Sequence, residues 1–242
     1  MTTTDWGALS ERLVSALHLS SSPVAIAFSS QPPEGLDRFD APMSSPAPDG
    51  RSGRVPASCV FWIHGAEHSF TTVAEDHGNC SVGRVTHGLA SLEEVAKNDD
   101  VAELLGSGWV GRQDVSGLPS VTGNPEAITY SPLASLPASV DPDVVLMRVN
   151  GRQLMVLSDA IPSLLIGGKP QCHIVAVAKE QKVPAASVGC ALSRSRTGMA
   201  PDEMTCALPA DDLSSIVEAV ENAAAIDQVV ARYAASDARR FS

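Results

Sequence analysis

Residues 140–157 read V-D-P-D-V-V-L-M-R-V-N-G-R-Q-L-M-V-L, and this stretch decides the fold class. A short apolar run from Asp143 to Val149 has the length and branching of a buried strand. Asn150 then supplies a helix N-cap, and helix-forming residues follow from Arg152 to Leu165, with Pro162 as a bend within that helix. A strand passing directly into a helix points to an α/β or α+β chain.

Working outward, Val24–Phe28 is a second short apolar run of strand type, preceded by Trp6, Leu9, Leu13 and Leu17 at helical spacing behind Asp5. Ala57–Ala66 suits a buried helix carrying Cys59, and Ser69–Ala74 alternates like a strand. Ser91 and Glu94 form a capping box that opens a helix reaching Leu105. Residues 106–142 read as loops with one short strand near Ile128. The run after Cys172 reads as a helix by analogy with Cys59, and Ser187–Leu192 and Met204–Leu208 read as short buried strands. A long helix starts near Asp211, with Leu213, Ile216, Val217 and Val220 on one face. It docks either within its own domain or on a partner subunit. Residues 41–54 lack any apolar periodicity and read as an irregular loop.

The expected architecture is one domain over 1–242, a mixed sheet with packed helices. With 242 residues and 44% hydrophobic content, the chain can bury a full core unaided by disulfides. The net charge of -11 repels a phosphate backbone, which excludes nucleic acid as an expected partner. No apolar run approaches membrane-spanning length and no basic, apolar leader opens the chain, so the expectation is a soluble, cytoplasmic protein that stays off the membrane. In a reducing compartment the five cysteines read as metal-binding, catalytic or buried, not as a disulfide framework.

Two segments echo each other. Pro56-Ala-Ser-Cys59 and Pro170-Gln-Cys172 each precede an apolar run, while Cys80, Arg84 and Gly88 recur in spacing as Cys190, Arg194 and Gly198. Two related half-units, 1–105 and 140–242, packed about a pseudo-two-fold axis would produce such an echo, as would chance. Under the first reading Cys59, Cys80, Cys172 and Cys190 meet at the axis. Four thiolates select an iron-sulfur cluster or zinc over magnesium or calcium. Cys80, between Gly78 and Gly83 and ahead of a helix, is equally a candidate nucleophile, as is Cys190, with His77 as a ligand, an acid/base partner or a surface imidazole. His173 is a further candidate beside Cys172. Arg84, Arg194 and Arg196 bring positive charge that either holds an anionic cofactor or pairs with Asp202 and Glu203. Cys206 reads as a small buried hydrophobe.

The segments S-P-V-A-I-A-F, E-D-H-G-N-C-S-V-G, V-D-P-D-V-V-L-M-R-V, S-V-G-C-A-L-S-R and D-E-M-T-C-A-L-P together resemble the uncharacterised microbial family called domain of unknown function 169. In that family the cysteines of the E-D-x-x-x-C and S-x-G-C segments recur, which correspond here to Cys80 and Cys190. The resemblance carries no activity. The functional expectation is a cysteine-ligated metal or iron-sulfur protein with a redox or cofactor-dependent role and a small molecule or redox partner. The alternatives are a metal-free enzyme with a cysteine nucleophile, or a small-molecule-binding protein whose pocket the cysteines line. A homo-oligomer is compatible with the sequence, which does not itself fix the oligomeric state.

Overall fold

The computed structural model describes residues 4–40, 57–197 and 199–240, so the irregular loop at 41–54, Pro56, Gly198 and the side chain of Arg196 lie outside the described residues. In chain order the helices are α1 (Trp6–Leu17), α2 (Ser58–His64), α3 (Ser81–Thr86), α4 (Leu92–Val95), α5 (Asp99–Gly106), α6 (Arg112–Ser116), α7 (Gly151–Ala160), α8 (His173–Glu180), α9 (Ala191–Thr197) and α10 (Leu213–Ala238). The strands are β1 (Val24–Ser29), β2 (Phe70–Thr72), β3 (Ala127–Pro132), β4 (Val144–Val149), β5 (Leu165–Gly167), β6 (Ala185–Ser187) and β7 (Met204–Pro209). They form one open sheet in the order β2-β3-β1-β4-β7-β6-β5, antiparallel except for β5 on β6. This is the single-domain mixed α/β architecture that the strand-to-helix passage implies.

Alternation along the strands divides the core into two layers. Ala25, Val145, Met147, Cys206 and Leu208 face α1, α7 and α10, while Val24, Ile26, Val144, Leu146 and Ala207 face α2 and α8. The cysteine-bearing elements are on the second face.

The strand pairing repeats itself about the middle of the sheet. β1 and β4 pair as Val24 with Leu146, Ala25 with Val145 and Ile26 with Val144, a register symmetric about Ala25 and Val145. Carrying Val24 onto Val144 carries the β1–β3 pair Val24–Pro132 onto Val144–Pro209 and the β2–β3 pair Phe70–Tyr130 onto Ala185–Ala207. Even the isolated parallel bridge Arg38–Thr71 has a counterpart in Ile166–Ala186. A 3-10 turn follows both β3 and β7, each after a proline. The first repeat therefore runs through β3 to Ser135, beyond the half-unit boundary at 105, because β3 is the strand that β1 needs as its outer neighbour. On the cysteine face α2 packs against α9 and α3 against α8, so each helix of one repeat rests on a helix of the other.

Several local expectations are corrected. The helix after Asn150, whose side chain accepts from Gln153 N, ends at Ala160. Pro162 terminates it, since a proline cannot supply the helical N–H, and Leu165 already belongs to β5. The Ser91–Glu94 capping box forms, but the helix it opens stops at Val95 and a new one begins at Asp99. Asn98 stands between them, its amide donating to Ser81 Oγ at 2.7 Å. Of Ser187–Leu192, only Ser187 is strand; Gly189, at φ +119, turns the chain and Ala191 starts α9, so Cys190 precedes a helix just as Cys80 does.

Leu146 is fully buried at the join of the two repeats. Leu146→Ala is expected to lower unfolding stability by about 2–5 kcal/mol in urea titrations, without loss of the native far-UV spectrum in buffer.

Candidate functional site

Cys59, Cys80, Cys172 and Cys190 line one narrow cleft, partly open to solvent. Cys59 lies in the first turn of α2 and Cys172 caps α8; Cys80 and Cys190 immediately precede α3 and α9. The repeat thus delivers one helix-start thiol and one loop thiol from each half. Cys59 and Cys172 are buried, Cys80 and Cys190 half-buried, and none is in a disulfide. The remaining lining is mostly apolar, with Ala57, Val82, Leu104, Trp109, Pro170 and Leu192. Burial pushes the Cys172 thiol well above its usual range; the neighbouring Cys80, then Cys190 and Cys59, push it further, while a hydrogen bond from Thr86 opposes them.

Among the described residues that line it, the cleft offers thiols but neither imidazole nor carboxylate as ligands. Among the described residues, no group of three or more His, Cys, Asp or Glu side chains is drawn together as a site for a metal ion. A tetrahedral zinc-thiolate site holds sulfurs at ~2.3 Å from one ion, close to one another. The four thiols here stand around the cleft instead.

His77 lies beneath the cleft and does not line it. Its Nδ1 is 2.9 Å from Ser58 Oγ and its Nε2 2.9 Å from Thr72 Oγ1. Thr72 donates to Ile128 O, so it accepts from Nε2–H of His77, which leaves Nδ1 to accept from the Ser58 hydroxyl. The ring is neutral in this arrangement. Burial lowers its pKa well below the ordinary histidine value, aided by His87 and Arg84. Ser58 lines the cleft: a methyl on Gly83 would stand 3.2 Å from its Oγ and 3.6 Å from Cys80 Sγ. The absence of a side chain at Gly83 therefore lets hydroxyl and thiol share one wall.

The start of α3 does not present its first N–H to the thiol. Ser81 N and Oγ both donate to Asp100, at 2.9 and 2.7 Å, so a carboxylate takes the donor expected to stabilise a Cys80 thiolate. Arg194 donates to the carbonyls of Val188, Ala200 and Glu203 at 2.9, 2.6 and 2.7 Å, fastening the loop around Cys190. Its guanidinium lies where a Cβ on Gly189 would be, 2.9 Å away. Glu203 pairs with Arg148, not with Arg194. Arg84 does not line the cleft, and its buried Nε has no hydrogen-bond partner among the described residues. His173 bonds through Nδ1 to Pro170 O and packs on Gly167, also away from the cleft. Cys206 is fully buried in the opposite layer, its thiol pushed up to about 12 by burial.

Compared with known proteins, residues 12–219 match the uncharacterised ArCR family, domain of unknown function 169. The chain belongs to that family. No curated protein and no solved structure matches it. The family match spans all four cleft cysteines and both repeats, and stops within α10. Among the described residues of this ArCR-family chain, no helix is long and apolar enough to cross a membrane.

Sequence reasoning missed Ser58, Gln171, Ser193 and Trp109, all of which line the cleft. Ser58 and Gln171 had a signal, since each immediately precedes the helix-start cysteine of its repeat. Gln171 is buried, donates to Ser193 Oγ at 2.6 Å and leaves its Oε1 without a partner. Trp109 comes from a distant loop and carries Lys169 Nζ 4.9 Å over its ring.

His87, fully buried, donates Nδ1–H to Gly83 O at 3.0 Å, and burial lowers its pKa to about 4. A depressed pKa means that the unfolded chain binds the proton first. The stability contributed by the neutral ring is complete above pH 6.5 and is lost as pH falls toward 4. Urea unfolding is expected to weaken by roughly 3 kcal/mol across that window on account of His87, and His87→Phe is expected to flatten the slope relative to wild type.

Proposed function

We propose that this chain is an iron-sulfur protein whose cluster is ligated by Cys59, Cys80, Cys172 and Cys190, with a redox or cofactor-dependent role. The observation that carries the reading is that two repeats, through four separate elements, each send two thiols to one largely apolar cleft. The donor chemistry is uniformly soft, as clusters and thiophilic metals require. Bound there, a cluster would accept and release single electrons.

The chain's own residues shape that chemistry. The surroundings of Leu104, Trp109 and Leu192 restrict water, and restricted solvent is one of the levers on a cluster's potential. Cys172, raised by burial, enters as a neutral thiol and must lose its proton on ligation, so loading releases protons and strengthens with rising pH. Cys80 and Cys190 form the half-buried rim, the side from which an electron-transfer partner would approach.

The neighbourhood of Cys80 and Cys172 favours a second reading, a metal-free dithiol that cycles with a disulfide. Anaerobic purification with iron and acid-labile sulfide analysis separates the two. The first reading expects both elements in equal amounts with a broad visible absorption, abolished by Cys80→Ser and by Cys190→Ser and unaffected by Cys206→Ser. A colourless protein that instead forms one reversible Cys80–Cys172 disulfide would favour the second, and zinc without sulfide would contradict both.

A further inference from the structure

The two repeats differ in one large feature. Between Gly88 and β3 the first repeat carries residues 89–126, whereas its counterpart between Gly198 and β7 has 199–203. The extra stretch holds α4, α5 and α6, and its Val95 and Val101 close a small core with Val85 of α3, separate from the two sheet layers. Its roots are tied to the body. Asn98 donates to Ser81, which donates to Asp100, and Thr122 donates to Glu180 from N and Oγ1 at 3.2 and 2.6 Å. Leu104 and Trp109, on either side of the turn from α5 to α6, supply one wall of the thiol cleft.

We propose that this insertion is a gate over the thiols, with Trp109 as its door and Lys169 as its latch. Cys59 and Cys172 are 8% and 7% exposed in a narrow cleft, so whatever reaches them has to displace a wall. The walls built from α2, α3, α8 and α9 are interlocked, because these helices pack on one another across the repeats and α8 packs on β4, β6 and β7 besides. The turn carrying Trp109 is held differently. Ser107 Oγ donates to Leu104 O at 2.9 Å and accepts from Trp109 N at 3.3 Å, both within the turn. Gly108 bends the chain at φ +69, and a Cβ on Gly106 or Gly108 would meet nothing within 4 Å, so the turn borders open space. Val110 is buried and gives the closed position its definition. From the second repeat Lys169, exposed and adjacent in sequence to the cleft-lining Pro170, donates to Trp109 O and sets its Nζ over the indole. An exposed side chain of one repeat thus fastens the door carried by the other, and segments held by so few contacts are the ones that open locally while the core stays folded. The gate depends on neither reading of the thiols, since a cluster and a dithiol need the same passage.

Alkylation of the reduced, metal-free full chain by N-ethylmaleimide, followed thiol by thiol by mass spectrometry, tests the proposal. Lys169→Ala is expected to speed the reaction of Cys59 and Cys172 by roughly tenfold, the order expected when a cation–π contact and a hydrogen bond are lost together. Lys169 does not line the cleft, so this rise reads opening and not a wider hole. Trp109→Ala is expected to speed both thiols at least as much, and Lys169→Arg, which keeps cation and donors, to stay near the wild-type rate. Cys206, fully buried in the opposite layer, is expected to stay unmodified in every variant and so reports any global unfolding. Unchanged rates in Lys169→Ala or in Trp109→Ala, or Cys206 reacting in step with Cys172, would each overturn the proposal.

Discussion

The three-residue pairing of Val24–Ile26 with Val144–Leu146 in the middle of the sheet is the constraint on which the thiol site depends. It is the only ladder joining the two repeats among the described strands, and its register is symmetric about Ala25 and Val145. A one-residue slip there would turn every side chain of one repeat to the wrong face, exchanging Val144 and Leu146 for Val145 and Met147 in the cysteine layer. Burial enforces the register, since all of these residues are almost wholly removed from solvent. With that register set, α2 meets α9 and α3 meets α8, and the four helix starts bring their cysteines together.

The same symmetry explains why the two halves of the cleft wall differ in detail. Ser58 of the first repeat donates a hydrogen bond from its hydroxyl to His77 and faces the bare Gly83. Its counterpart Gln171 is longer and is held by Ser193, which occupies the position equivalent to Gly83. Each repeat fills the volume beside its helix-start cysteine once, from one element or the other, as close packing requires. The thiol positions persist while their supports diverge, and the histidines stay buried and neutral as packing and hydrogen-bonding groups beneath one half.

Much of this is legible in the chain. The strands at Val24 and Val144, the cap at Asn150 and the buried Cys206 follow from pattern and capping chemistry alone. The echo of Cys80, Arg84 and Gly88 in Cys190, Arg194 and Gly198 locates the elements that repeat, although its arginines do not perform the same task. Arg194 is consumed by three backbone carbonyls, of Val188, Ala200 and Glu203, and no side-chain pattern announces a clamp onto main-chain oxygens. The strand near Ile128 is legible as β3, but the Gly, Ser and Pro around it hide that it belongs to the first repeat. The strand character of Ser187–Leu192 fails at Gly189, whose φ of +119 turns the chain and whose missing Cβ leaves room for the Arg194 guanidinium. Trp109 reaches the cleft from a segment with no periodicity at all.

The account's central claim is that sulfur atoms from both repeats bind one inorganic centre. Iron K-edge X-ray absorption on the anaerobically isolated chain addresses it most directly. The account predicts an all-sulfur first shell with iron-iron scattering beyond it. A first shell of nitrogen and oxygen, or a protein without iron, would contradict it.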